Sequence, residues 1–476
     1  MRNPTFYCVL LALMPISSFA SSGTSHLDPA GSVIFWGTLI LFFGIVGRYL
    51  AKLMNQPGVL GELLMGVLLG NACYFSGMQL MIVLRDSPAV FTIIQDMLAG
   101  TPLPAAVHAV ITEPHYAGQV LEALSGQDGN DWIKVAFVVD SFSRYGVIFL
   151  LFMVGLESSL DELKKTGRES LQVACIGVLA PILLGLLAWY VLMPTAEFST
   201  SLFVAATLSA TSVGITARVL KDMKKLNTRE AKTILGAAML DDVLGLVILA
   251  IVSRMVMHDG IDFLSIATTL LSALLFFPAA LLVGPWVLRN MIACVKFLDP
   301  WEAKLLVSFV FVMCFAWLAT LVQMSTIMGA FVAGIMLHDG FFESREREIK
   351  NPQSIKHLMA PFEAIFAPLF FMLIGIQVRL ETFFDWHVLV IALGLIVVAI
   401  IGKLVSGLGG ARRDDRLLIG IGMMPRGEVG LIFASVGKTI GVIPDALFSA
   451  IIMMVVVTTV LTPIWMKKRY GIAKVS

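Results

Sequence analysis

The sequence is short of charge. Asp, Glu, Lys and Arg make up 14% of 476 residues, against about 25% in soluble globular domains. With 58% hydrophobic residues and a mean hydropathy of +0.88, a water-facing globule is excluded. The net charge of +1 supplies no basic field, and no nucleic-acid partner is expected. Cysteine is scarce as well. Cys8, Cys73, Cys175, Cys294 and Cys314 stand singly, with no C-x-x-C and no disulfide-like spacing, and read as small apolar residues. No His-Glu-x-x-His or Gly-x-Ser-x-Gly motif is present, so no enzyme chemistry and no cofactor are expected.

What is present is a succession of apolar runs. They lie near 32–54, 58–76, 141–158, 170–193, 198–220, 231–256, 262–288, 303–323, 325–338, 358–378, 386–408, 416–438 and 444–466. Most reach the roughly 20 residues that cross a bilayer as a helix. They predict an all-α polytopic membrane protein of about thirteen spans, in contact with lipid. Before them, Arg2, the apolar stretch Phe6 to Pro15 and Ser18-Phe19-Ala20 read as a signal peptide over 1–20. A chain that starts outside the cytoplasm puts 25 of the 34 Lys and Arg in cytoplasmic loops and in the tail, 467–476. That bias predicts an inner-membrane protein with a cytoplasmic C-terminus. Residues 79–131 form an extracytoplasmic insertion with one basic residue, Arg85, and six acidic ones. Its Pro, Gly and His content predicts short amphipathic helices lying on the surface.

One run resists a packing explanation. Asp241 and Asp242 sit mid-span in 231–256, where each charge costs about 3 kcal/mol on insertion scales. An ion or proton site is the default reading. Adjacent helical residues point about 100° apart, so the two carboxylates take different roles. One faces a cavity; the other faces Lys403 or an unwound segment. A proton and a cation compete for a desolvated carboxylate, and exchange follows if only loaded states cross.

Three further places support such a site. The hydroxyl-rich stretch Thr207 to Thr216 reads as a broken helix, whose freed carbonyls and hydroxyls, Thr211 and Ser212 among them, ligate a cation. Back-bonding hydroxyls in an intact helix are the bland alternative. Met424-Pro425-Arg426-Gly427-Glu428 interrupts the run 416–438, and Arg426 and Glu428 read there as supporting charges, most simply a local ion pair. The two interrupted runs cross in opposite senses, as expected of inverted repeats with the site between them. Lys403 either snorkels to the membrane edge or partners an aspartate. Glu62 and Glu157 read as structural charges near helix ends.

These residues, with Gln56-Pro57-Gly58-Val59-Leu60-Gly61-Glu62, Gly329 to Gly334, Pro368 to Ile376 and Gly402-Lys403 in the same order, resemble the cation:proton antiporter superfamily. The resemblance is to monovalent cation:proton antiporter family 2 and its NapA-type sodium/proton members, and covers 56 to about 435. It implies a homodimer with two crossed discontinuous helices. A moving core would take helices of about 170–256 and 386–466, and a dimerisation scaffold those of about 32–76 and 262–378. It implies that Asp242 carries cation and proton, that Asp241 pairs with Lys403, that Thr211 lies at the first break, and that exchange is electrogenic and elevator-like. The insertion departs from the family pattern. A potassium/proton antiporter or potassium efflux system shares these site residues. A membrane sensor with 79–131 as input domain is the reading from another class, and would not need the full site.

Overall fold

The computed structural model describes residues 30–54, 56–111, 114–157, 167–193, 197–225, 228–257, 263–322, 326–343 and 352–471. The signal-peptide expectation for 1–20 and the end of the tail lie outside them. All regular structure among the described residues is helical. The chain opens with a helical hairpin, α1 (Gly31–Leu53) and α2 (Gly58–Phe75), turned at Pro57. Gly47 and Gly61 let the two backbones touch: a Cβ on either would enter the other's carbonyl. Arg48 of α1 donates to the buried Glu62 of α2.

The insertion follows as four short helices: α3 (Gln79–Arg85), α4 (Ser87–Leu98), α5 (Leu103–Val110) and α6 (Pro114–Ser125). Helices α4, α5 and α6 are amphipathic, with one face exposed and the apolar face turned onto protein. Leu80 to Leu84, Val90, Ile93, Val107 and Val120 are buried and form one apolar core with Trp36 and Ile40 of α1 and with Leu369, Met372 and Leu373. The alternation that reads as amphipathic is satisfied by protein rather than by the bilayer edge, because each short helix buries its apolar face on its neighbours. His108 is exposed, and the side chain of His115 is not among those described.

The remaining helices are α7 (Gly129–Glu157), α8 (Arg168–Leu192), α9 (Phe198–Ser209), α10 (Val213–Asp222), α11 (Arg229–Met257), α12 (Phe263–Cys294), α13 (Pro300–Leu321), α14 (Thr326–Met336), α15 (Ile355–Gln377), α16 (Trp386–Ser406), α17 (Arg416–Gly422), α18 (Gly427–Thr439) and α19 (Asp445–Arg469). Among the described residues eight helices are long and apolar enough to cross a membrane: α1, α2, α7, α8, α13, α15, α16 and α19. The short run at 325–338 is a separate 11-residue helix, α14. It is buried because Gly329 and Gly334 bring it onto the backbones of α13 and α7.

Packing divides the helices into two bundles. In one, α15 lies against α2 and α7, and α14 against α7 and α13. In the other, α8 lies against α9, α11 and α16, and α16 and α18 lie against α19. Helix α12 touches α11, α13 and α14 and so joins them.

Candidate functional site

Both hydroxyl- and glycine-bearing runs break where the sequence predicts. Helix α9 stops at Ser209, and Ala210 is extended at φ −59°, ψ 141° before α10 resumes at Val213. Helix α17 stops at Gly422 and α18 resumes at Gly427, whose φ of +24° suits glycine. The two breaks lie against each other. Ser212 N–H donates to Pro425 O at 2.8 Å, and the Thr216 hydroxyl donates to Gly422 O at 2.7 Å. The Thr211 hydroxyl donates to Met423 O at 3.3 Å. Each break thus satisfies part of the other's freed backbone, which a lone broken helix in lipid cannot do.

Arg426 is the largest charged side chain at the crossing and is fully buried. It does not serve a purely local pair. Its Nη1 donates to Ala210 O at 2.8 Å, at the C-terminal end of α9, and its Nη2 to Ala399 O of α16 at 3.0 Å. A cation at a helix C-terminus meets the negative end of the helix dipole. The Glu428 side chain lies outside the described ones.

Asp241, on α11, faces this crossing and is buried. Lys403 Nζ of α16 donates to its Oδ2 at 3.1 Å, with both side chains sealed from solvent. Lys403 therefore does not snorkel. Gly177 of α8 packs beside this ammonium: a Cβ there would stand 3.6 Å from Nζ, in ordinary contact. Thr211 and Arg426 also lie beside the Asp241 carboxylate. Its Oδ1 is buried with no hydrogen-bond donor from the protein. Asp242 follows one residue on in the same helix; its side chain lies outside those described.

The structure thus brings Asp241, Thr211, Lys403 and Arg426 together, with Ser212 packed against Gly427. The arrangement holds a buried carboxylate with one paired and one unpaired oxygen beside unwound backbone, which suits a small cation or a proton. Reading the sequence misses the Ala210 and Ala399 carbonyls. A carbonyl has no residue signature.

A separate cavity of about 690 Å³ opens between the bundles, lined by Asp140, Arg144, Gln377 and Ser435 among others. Asp241 does not line it.

Comparison with known proteins places the chain in a family. The family model for the sodium/hydrogen exchanger transmembrane region matches residues 37–467. The high-affinity Na+/H+ antiporter NhaS3 of Synechocystis sp. is 33% identical over 98% of this chain and 96% of its own. A Na+/H+ antiporter of Enterococcus hirae is 30% identical over 78% of this chain and 95% of its own. The Na+/H+-K+ antiporter GerN of Bacillus cereus is 31% identical over 79% and 95%. In fold, the chain is similar to the sodium proton antiporter MjNhaP1 of Methanocaldococcus jannaschii, with a TM-score of 0.57 at 15% identity over 92% of this chain and 97% of that one. A match that runs through both bundles and both broken helices shows that the chain belongs to the sodium/hydrogen exchanger family.

Proposed function

We propose that this chain is a monovalent cation:proton antiporter, with sodium as the preferred cation, and that proton and cation compete for Asp242. The observation that carries the reading is the sealed Lys403–Asp241 pair at the crossing of two broken helices. A buried ion pair is poor evidence for stability, since apolar residues of similar volume often serve as well. Its place beside unwound backbone argues for use in transport. The names of the NhaS3 and Enterococcus hirae relatives favour sodium; GerN's name adds potassium.

In this reading Asp242 is the carrier, with Thr211 and Ser212 as further ligands, and Asp241 exchanges between Lys403 and the incoming ion. Exchange is electrogenic. The bundle of α8–α11 and α16–α19 moves against a scaffold formed by α1, α2 and α12–α15, through which two copies pair. The protein sits in the inner membrane with the insertion outside and the C-terminus inside, as the Lys and Arg distribution supports.

The test is cation-driven proton movement in proteoliposomes, read with a pH-sensitive dye while sodium, lithium and potassium are scanned. Sodium drives exchange in the parent protein, and Asp242→Asn abolishes it. Full activity in that variant overturns the site. A response to potassium without sodium replaces the sodium reading by the potassium one.

A further inference from the structure

A second cluster of charge lies away from Asp241, where the insertion meets both bundles. Arg85, the last residue of α3, is fully buried. Its guanidinium reaches Glu381 (Nη1–Oε1 2.7 Å) in the link between α15 and α16, donates to Asn71 of α2, and stacks 3.8 Å from the Tyr74 ring centre. Its backbone carbonyl accepts from Lys438 Nζ of α18 at 3.1 Å. Lys438 also pairs with Asp445 Oδ1 at the start of α19, at 2.8 Å. The other Asp445 oxygen takes Arg379 Nη2 at 2.8 Å, and Arg379 reaches Asp86 at 3.5 Å. The Arg379 guanidinium lies 3.9 Å from the Tyr116 ring centre, and the backbone N–H of Arg379 donates to Ser449 Oγ of α19 at 3.1 Å.

Three cations and three anions therefore meet, drawn from the insertion (Arg85, Asp86), the link after α15 (Arg379, Glu381) and the second bundle (Lys438, Asp445). Such a cluster is neutral only when complete; withdrawing one member leaves a desolvated charge. An insertion that served only as cover would need no contact with α18, which begins at the second helix break. The cavity between the bundles opens beside the same contact: Ser435 and Thr439 of α18 line it, and so does Gln377, whose Nε2 donates to Ser87 Oγ of the insertion at 3.2 Å.

We propose that the insertion is a latch: through the Arg85 carbonyl it holds Lys438, and through Asp86 on Arg379 of the link it holds Asp445, and with them α18 and α19, in the end state seen here, and the contact breaks in each transport cycle. The inference rests on the antiport reading, in which one bundle moves against the other. A latch of this kind makes the insertion a determinant of which end state the resting protein occupies.

The test uses the full-length protein in proteoliposomes, with its native cysteines replaced and Ser435→Cys introduced in the cavity wall. The readout is the rate of labelling by a membrane-impermeant maleimide. Lys438→Gln and Asp86→Asn are each expected to change that rate at least threefold in the same direction, and the double variant no further than the larger single. Residues of one contact are not additive. Equal labelling in parent and both single variants overturns the latch, as do effects that add. If Lys438→Gln does not fold, Glu381→Gln takes its place in the same comparison. Labelling needs no transport. A parent that moves no protons defeats the antiport reading; a parent that exchanges, with labelling blind to these variants, defeats the latch alone.

Discussion

Lys403 and Asp241, 162 residues apart in the chain, meet at 3.1 Å inside the protein, and solvent reaches neither side chain. Removing one partner of such a pair costs about 3–5 kcal/mol when the other stays charged. Lys403→Ala should therefore lower the thermal unfolding midpoint of the purified protein, and Asp241→Ala in the same chain should restore most of it. A double variant as unstable as the sum of the singles would show that the two do not act as a pair. Charge moved per cycle should fall in Lys403→Ala, read with a voltage-sensitive dye.

Arg426 bridges two helices by two carbonyls, Ala210 O and Ala399 O. Hydrogen bonds from a charged donor are worth about 1.5–3 kcal/mol each, and a lysine ammonium cannot reproduce the guanidinium fork. Arg426→Lys should retain the charge yet lose one bridge, with an exchange rate down about tenfold. Parent-like rates in Arg426→Lys would mean that charge alone is needed at the crossing.

Gly427 carries φ +24°, and a Cβ there would stand 2.7 Å from Ser212 Oγ and 2.8 Å from Ser212 Cβ. Gly427→Ala should separate the two breaks and cut exchange more than tenfold. Gly441, at φ +76°, has open space around its Cβ position. Gly441→Ala bears the backbone strain, about 1–2 kcal/mol, without the clash, and its exchange should stay near the parent's. Equal loss in both would assign the effect to strain rather than to contact between the breaks.

Burial pushes the Asp86 carboxyl above the ordinary carboxylate range; Lys438 and Arg379 pull it down and Asp445 pushes it up. An acid whose folded value is raised has its ionised form disfavoured by folding. The parent therefore loses stability relative to Asp86→Asn as pH rises from the unfolded value, about 3.9, through the raised one. The difference in unfolding midpoint, variant minus parent, should grow with pH over that window. A flat difference between about pH 4 and pH 8 would contradict it.

Legibility in the sequence followed the range of the physics. The breaks at Ala210 and at Met424-Pro425 were readable because hydroxyl, proline and glycine act on their own backbone. Asp241 and Asp242 were readable because a charge in an apolar run is costly wherever it folds. Arg85 and Asp86 were not, since in a loop they look solvated; burial comes only when α3, α15 and α18 converge on them. The short helices of the insertion misled for the same reason: an apolar face does not state whether lipid or protein will cover it.

The sequence by itself determined that the chain crosses a membrane repeatedly and where two of its helices break, and it singled out Asp241 in an apolar run. Hydropathy and backbone propensity are local and survive without a fold. Tertiary structure alone decided that Lys403 takes Asp241, that Arg426 takes the carbonyls of Ala210 and Ala399, that Lys438 takes the Arg85 carbonyl and that Arg379 takes Asp445. A long cation has several acceptors within reach of its stem, half of them backbone oxygens without a residue code. Only the packed helices select among them.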